Sequence, residues 1–433
     1  MNMKKPLFLL NFLFCFLIAH SQDTLTVMQY NLLNYGNYTS YCTSGNNNHE
    51  QKDLYLKTIT GHVNPHIFTV NEISQYEFYH NRILNEVLNI DGKNHYRKAA
   101  LSNIANSYII NQLYYDSRKL VLHSQSVIQS FVRDINLYRL YYRGDGLAQG
   151  DTIFINCIVV HLKAGTTGSD KTDRATMTAS VMNWLNKNAL PGNFLIMGDF
   201  NVYSSTEDAY QNLIAPVAQY QAFRFYDPID KPGNWNKNYD FAKWHTQSVS
   251  SGGNGCQSGG GMDDRFDFIL ASSPIMQGEK GITYIAGSYE ALGQDGRHFN
   301  RSINDQPQNT SVPAGVLNAL AYNSDHLPVI LKLKVNSGST GIKEEHGLLS
   351  SAYIYSGSDK QTYLCAWSEK EMRVNASVFD ISGKLVSENV YQIAPGRNDL
   401  PVNTAGLYPG FYLLNFTGNS GKSTTLKLVL QPF

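Results

Sequence analysis

The sequence predicts a mixed α/β layered fold followed by a small all-β sandwich. Three observations carry that prediction. Short apolar runs with strand character recur through the first 335 residues, and the early ones alternate with stretches whose apolar residues fall at helical spacing. A Gly/Ser/Thr stretch at 336–341 then has the composition of a flexible linker. From Ala352 onward, short strand-like runs alternate with turn dipeptides.

The elements follow in order. Residues 25–31 alternate apolar and polar side chains and form a first strand. Residues 53–62 place apolar positions at helical spacing, and Pro65 stops that helix. Residues 67–70 make a short buried strand that ends at Asn71-Glu72. Residues 76–88 read as a helix, and 108–115 and 120–131 as strands. Residues 153–160 form a strand ending at His161, 172–187 an amphipathic helix, and 193–197 a return to the sheet. Strands at 266–271 and 329–335 close the layered region. In the tail, runs at 374–380, 410–417 and 424–430 are separated by Ser382-Gly383, Pro395-Gly396 and Pro409-Gly410.

The stretch 227–264 departs from this pattern. It is rich in Gly, Asn and Ser, yet it carries Trp235, Trp244 and His245. A loop of that length in a compact domain is functional or disordered. Its aromatic residues predict order, either as a loop folded over a substrate cleft or through structural packing of the same tryptophans.

Composition narrows the class. The 433 residues suit two or three domains, and a hydrophobic share of 42% supports real cores. A formal net charge of +0 excludes a global basic field and leaves only a local groove for a polyanion. Residues 1–21 read as a secretory signal: Lys4 and Lys5 precede an apolar run at 7–18, and Ala19-His20-Ser21 offers small residues for cleavage near Ser21-Gln22. That run is shorter than the roughly 20 residues of a membrane span, and no later segment is long and apolar enough for one. Cys42, Cys157, Cys256 and Cys365 remain after cleavage. Export permits disulfides, and Cys42 and Cys256, both in Gly/Asn/Ser-rich loops, could pair. Cys157 lies in an apolar strand and reads as a buried thiol, and the spacings fit no zinc site.

Chemistry concentrates at strand ends. Gly198-Asp199-Phe200-Asn201 follows one apolar run, and Ser324-Asp325-His326-Leu327-Pro328 precedes another. An Asp-x-Asn pair holds water or metal, and an Asp–His pair is an acid–base unit, so the two together point to metal-assisted hydrolysis. Glu72, a lone carboxylate after a buried strand, is the best metal ligand and suits Mg²⁺, Mn²⁺ or Ca²⁺. Asn31 ends the first strand similarly and can orient Glu72 or bind the ion. His161 could donate to a phosphoryl oxygen or serve as acid. Asp267 is the expected partner that fixes the tautomer of His326, while Asp325, pointing the other way along an extended chain, would face the metal or the His161 side. Of Asp199 and Asn201, one would align the attacking water and the other donate its amide to the phosphate. Arg133 is a candidate phosphate clamp.

Six short motifs carry a family resemblance: Gln29-Tyr30-Asn31, Val70-Asn71-Glu72-Ile73, Val160-His161-Leu162-Lys163, Gly198-Asp199-Phe200-Asn201, Arg265-Phe266-Asp267-Phe268-Ile269 and Ser324-Asp325-His326. In this order they resemble the endonuclease/exonuclease/phosphatase superfamily, the fold of pancreatic-type deoxyribonuclease and of neutral sphingomyelinases. The resemblance implies a four-layered α/β sandwich, two packed sheets flanked by helices, and Mg²⁺-dependent phosphoester cleavage. It implies metal contact at Asn31, Glu72 and Asp325, catalysis at Asp199, Asn201 and His326, phosphate binding at His161, and Asp267 as the residue that orients His326. The sequence departs from the family in carrying Asn71 where many members carry Gln, and in the 227–264 insertion. The carboxylate that partners His161 in the pancreatic enzyme is missing, with Asn111 near its expected strand.

The tail has its own resemblance. Val378-Phe379-Asp380-Ile381-Ser382-Gly383-Lys384, Leu407-Tyr408-Pro409-Gly410-Phe411-Tyr412 and Lys427-Leu428-Val429 are similar to the C-terminal sorting domain of type IX secretion, without the Asn-Pro element that often opens it. It implies a folded address tag read by that secretion machinery; the alternative is an adhesive or carbohydrate-binding sandwich. The sequence therefore predicts a signal at 1–21, a catalytic domain at 22–335, a linker at 336–351 and a sorting domain at 352–433. The expected protein is exported through the periplasm to the cell surface or medium as a metal-dependent phosphodiesterase, with DNA or RNA as the favoured substrate. A sphingomyelinase-like or other phosphoester hydrolase and a non-catalytic surface binding protein are the alternatives.

Overall fold

The computed structural model describes residues 23–144, 147, 152–336, 351–356, 361–368, 370–418 and 423–430. The signal segment 1–21 and the linker interior 337–350 lie outside the described residues. The first half of the layered region runs β1 (Asp23–Tyr35), α1 (His49–Val63), β2 (Ile67–Ser74), α2 (Glu77–Arg82), β3 (Tyr96–Lys98), β4 (Ile109–Asp116), β5 (Leu120–Gln129), β6 (Ile135–Tyr142) and β7 (Phe154–His161). It continues through α3 (Gly168–Asn188), β8 (Phe194–Asp199), α4 (Asp208–Ile214), β9 (Phe225–Tyr226), β10 (Asp267–Ser272), α5 (Ser273–Gln277), β11 (Ile282–Tyr284), β12 (Glu290–Ala291), α6 (Ala314–Asn323) and β13 (Val329–Val335).

These strands form two sheets. One has the order β11-β13-β1-β2-β4-β3 with β12 paired to β13, and the other has the order β5-β6-β7-β8-β10-β9. Strand alternation assigns the layers. Leu25 and Val27 of β1 meet Cys157, Val159, Leu195 and Met197 in a core between the sheets. Met28 and Tyr30, on the opposite face of β1, join Leu56, Ile59, Leu317 and Leu320 of α1 and α6. Phe194 and Ile196 of β8 face Met177, Val181 and Leu185 of α3. Helix, sheet, sheet and helix thus stack as four layers, and strands buried on both faces read as continuous apolar runs.

Local chemistry moves several boundaries. The first helix starts at His49 because the Asn48 side chain accepts from the Glu50 and Gln51 amides. The helix expected at 76–88 ends as α-helix at Arg82 and continues to Leu88 as a π-turn. The strand β6 and the helix α6 had no counterpart in the sequence reading. The sequence of β6 interrupts its apolar face with Arg139, whose guanidinium stacks on Phe154 at 3.9 Å.

The tail contains β14 (Ser351–Ser356), β15 (Thr362–Ser368), β16 (Met372–Asp380), β17 (Leu385–Ile393), β18 (Gly396–Pro401), β19 (Gly410–Gly418) and β20 (Ser423–Leu430). They form a three-stranded sheet, β14-β15-β18, and a four-stranded sheet, β17-β16-β19-β20. Leu364 and Ala366 of the first meet Val374, Val378, Leu414 and Phe416 of the second in one core.

Candidate active site

Strand register builds the site before any side chain is considered. In the second sheet His161 pairs with Asp199 across β7 and β8, and Asp199 pairs with Asp267 across β8 and β10. Directly opposed residues point to the same face, so the three form one row. In the first sheet Asn31 of β1 lies beside Asn71 of β2. Asp325 and His326 stand just before β13, which runs antiparallel to β1, and Ser324 Oγ donates to the Asn31 carbonyl at 2.7 Å.

Backbone irregularities then aim the side chains. Glu72 has φ +57° where the β2–β4 register shifts, a bulge that turns its carboxylate out of the ladder. The Asn34 amide holds Glu72 Oε2 at 3.0 Å, and Asn31 Nδ2 holds Oε1 at 3.1 Å. Gly198 has φ +147°, and a Cβ there would lie 1.8 Å from the Val160 carbonyl oxygen, so only glycine lets β8 approach β7 so closely. Val132 has φ +67°, rare for a β-branched residue, at the tip that presents Arg133.

The polar groups converge. Asn31 Nδ2 lies 3.0 Å from Asp199 Oδ2 and 3.5 Å from His326 Nε2. His161 Nε2 is 3.7 Å from Asp199 Oδ2 and 3.8 Å from Glu72 Oε1. His326 Nδ1 donates to Asp267 Oδ2 at 2.7 Å, and its Nε2 faces Asp199 Oδ2 at 3.8 Å and Asp325 Oδ1 at 3.9 Å. Thr246 Oγ1 also donates to Asp267 Oδ2, at 2.7 Å. The Asn201 amide holds Asp199 Oδ1 at 2.9 Å, and the Leu162 carbonyl accepts from both Asn201 Nδ2, at 3.3 Å, and Arg133 Nη1, at 3.2 Å.

Burial and charge set the protonation states. Desolvation pushes the Asp199 carboxyl up to about 7, helped by Asp267 and Glu72 and opposed by His326 and the Asn31 amide. Burial disfavours the His326 imidazolium, but Asp267, Asp199 and Asp325 outweigh it and hold this ring well above the ordinary histidine range. Burial drives His161 well below that range, and Arg133 and His326 add to the effect. The two imidazoles are therefore pushed in opposite directions, His326 toward its charged form and His161 toward its neutral one.

The donor set fits a hard cation. Ligand atoms of Glu72, His161 and Asp199 all lie within 4.8 Å of one another. Asp325 Oδ1 is buried without a hydrogen-bond partner, an acceptor that an ion would satisfy. Asn31 meets this group with its amide nitrogen, because its Oδ1 accepts the Leu33 amide at 2.9 Å. In that orientation Asn31 Nδ2 donates to Glu72 Oε1. Asn111 is not bonded to His161. Its Oδ1 accepts from Asn71 Nδ2 at 2.7 Å, and its Nδ2 donates to Asn136 Oδ1 at 3.0 Å and to the Asp134 carbonyl at 2.9 Å. It belongs to a buried amide ladder that also fixes Asp199, whose backbone N–H donates to Asn71 Oδ1 at 2.9 Å.

The 227–264 insertion enters the site. Gln247 Nε2 reaches His326 Nε2 at 2.8 Å and Asp325 Oδ2 at 3.2 Å, and the Ser258 amide donates to Asp325 Oδ2 at 3.0 Å. Cys42 and Cys256 form a disulfide that ties this insertion to the loop after β1. Trp235 takes the structural role and is fully buried against Phe268 and Tyr210. Gln247, Thr246 and Ser258 escaped the sequence reading, because a loop has no periodicity to say which side chain turns inward. Cys157 is buried, as its strand suggested.

Residues 362–431 match the family model described as the secretion system C-terminal sorting domain. Such a domain implies handling by type IX secretion and a place at the cell surface or beyond it. Among the described residues no helix is long and apolar enough to cross a membrane. No curated protein matches the chain. Solved structures similar to it include endonuclease/exonuclease/phosphatase family proteins at low identity. One, from Bacteroides thetaiotaomicron, has 13% identity and a TM-score of 0.44, over 73% of this chain and 97% of that one. A mannosyl-6-phosphatase from the same organism has 14% identity and a TM-score of 0.42, over 71% and 99%. D. rerio TDP2 complexed with a single-strand DNA product has 10% identity and a TM-score of 0.43, over 72% and 98%.

Proposed function

We propose that residues 22–335 form a divalent-cation-dependent phosphodiesterase that cuts nucleic acid outside the cell, with 336–351 as linker and 352–433 as the sorting domain. One observation carries this reading: the Asp267–His326 pair faces Asp199 within 4 Å of the group formed by Glu72 and His161. A buried Asp–His acid–base unit beside a carboxylate-rich cation site is the equipment for phosphoester hydrolysis.

Glu72, Asp199 and Asp325 would hold Mg²⁺, or Mn²⁺ or Ca²⁺, with His161 in reach, and the ion would polarise the phosphoryl oxygens. Asp267 fixes the His326 tautomer, leaving Nε2 to exchange a proton with the attacking water or the leaving oxygen. Asp199 orients that water, and the Asn201 amide and the neutral His161 ring donate to the phosphate. Arg133, leaning on the Leu162 carbonyl beside Asn201, adds a positive charge where charge develops.

A second reading, a lipid phosphodiester, draws on exposed rings. Tyr76 is 64% exposed, Phe78 58% and Tyr108 74%. Tyr76 and Tyr108 are adjacent, since the Gln75 amide donates to the Tyr108 carbonyl at 3.1 Å. Turnover of plasmid, RNA, sphingomyelin and an aryl phosphodiester, each with Mg²⁺, Ca²⁺ or chelator, tests both readings. Cleavage of nucleic acid that chelator abolishes supports the first. Cleavage of sphingomyelin alone supports the second, and turnover of none of the four overturns both.

A further inference from the structure

A cavity beside the catalytic row takes no part in the chemistry above. It has a volume of about 430 Å³ and is lined by Thr166, Lys171, Tyr203, Asn236, Lys237 and Asp264, a size typical of small-ligand sites. Tyr203 stands two residues beyond Asn201, and its ring packs edge-on against Phe266 with centroids 5.1 Å apart. Phe266 in turn lies 6.4 Å from the His326 ring. One aromatic ring therefore separates the cavity from the acid–base pair. Thr166 and Lys171 come from the start of α3 and the loop before it, and Asn236, Lys237 and Asp264 come from the insertion.

We propose that this cavity is a nucleotide subsite, which takes the phosphate and base adjoining the phosphodiester being cut. The inference rests on the phosphodiesterase reading and specifies its substrate as a strand rather than an isolated ester. Both lysines are exposed, and among the described residues neither is within ion-pair distance of a carboxylate, so their charge is available to a phosphate. The half-buried Tyr203 supplies a ring face on which a base can stack. Asp264 is held at the wall by Asn236 Nδ2, 2.7 Å from its Oδ1, and a fixed carboxylate accepts from a base amino group. Every side chain that lines the cavity carries a hydroxyl, amide, ammonium or carboxylate group, which suits a polar ligand better than an acyl chain.

The test uses the full chain and a fluorescent single-stranded hexanucleotide, with binding read by anisotropy in chelator so that hydrolysis plays no part. The double variant Lys171→Ala/Lys237→Ala should bind about tenfold or more weakly. Its log–log salt slope should fall by about 0.7, because the two lysines together neutralise one phosphate of a single strand. Tyr203→Ala should weaken binding at least fivefold and Tyr203→Phe should restore it, which separates stacking from misfolding. With metal present, the preference for the hexanucleotide over an aryl phosphodiester, as a ratio of kcat/KM values, should fall in the double variant. Wild-type affinity and salt slope in that variant, or no binding by the wild type, would overturn the subsite. If the wild type binds the strand and the variants weaken it, but no ester is cut, the subsite stands and the phosphodiesterase reading fails.

Discussion

His326 depends on one oxygen atom. Asp267 Oδ2 accepts from both His326 Nδ1 and Thr246 Oγ1, so the ring is held in one tautomer. Asp267→Asn can present N–H instead of an acceptor to Nδ1, and kcat on an aryl phosphodiester should fall by ~10²–10⁴-fold with little change in thermal stability. An unchanged kcat would remove His326 from the chemistry. Asp199 shows the cost of building such a site. Its carboxyl is raised to about 7 by burial, so the folded state disfavours its charge. Without metal, this destabilisation grows as pH rises from the unfolded value near 4 through about 7. Asp199→Asn should therefore raise the Tm in chelator at pH 8 while abolishing turnover. A Tm that falls would show that the carboxylate is stabilised in the fold rather than strained by it.

Elements deliver these residues through close approach and tethering. At Gly198 a side chain would meet the Val160 carbonyl, and φ is already in a region that L residues avoid. Gly198→Ala should cost on the order of 2–5 kcal/mol, read from denaturant unfolding, because it combines overpacking with backbone strain. A cost below 1 kcal/mol would mean that β7 and β8 can part without loss. The insertion is tied at Cys256 to Cys42 across 214 residues. Cys256→Ser should lower stability by roughly 2–4 kcal/mol and lower activity as well, since Gln247 and Ser258 reach Asp325 from the same insertion. Calorimetry with and without reductant reads the first effect. Reductant should leave the variant unchanged.

At the scale of the molecule, a buried ion pair links the insertion to the second sheet. Arg265 grips Asp227 through two bonds of 2.8 and 2.9 Å, and Tyr210 adds a third to the same carboxylate at 2.9 Å. Burial alone would raise the Asp227 pKa, but Arg265 outweighs it and holds the carboxyl below its ordinary value. The unfolded chain then binds the proton first as pH falls, so this contribution is complete above about pH 4 and is lost as pH drops through the lowered folded pKa. Asp227→Asn leaves the Arg265 charge buried and unpaired, and should cost about 3–5 kcal/mol at pH 7. The variant should also lose part of the wild type's acid dependence of stability, measured by urea unfolding between pH 3 and 7. An identical pH slope in both proteins would place the acid sensitivity elsewhere.

Sequence and structure divide along a physical line. Apolar periodicity reported the layers, because burial on one face or both is written directly in residue order: β2, β7, β8, β10 and β13 appear as apolar runs, and β1 as an alternation of apolar and polar residues. Short polar motifs at the ends of those runs marked Glu72, His161, Asp199, Asp267 and His326, since strand ends are where a buried sheet opens to a site. The tail showed β16, β19 and β20 and its turn dipeptides in the same local way, while β14, β15, β17 and β18 went unread. Tertiary structure decided the rest. Register set His161, Asp199 and Asp267 in one row, and the Leu33 amide turned the Asn31 nitrogen inward. The fold of the insertion brought Gln247 to His326 and Lys237 to the cavity that Lys171 also lines. Except for the Leu33 bond, those contacts join residues far apart in the chain, and local order along a chain carries no record of which distant partner a side chain will meet.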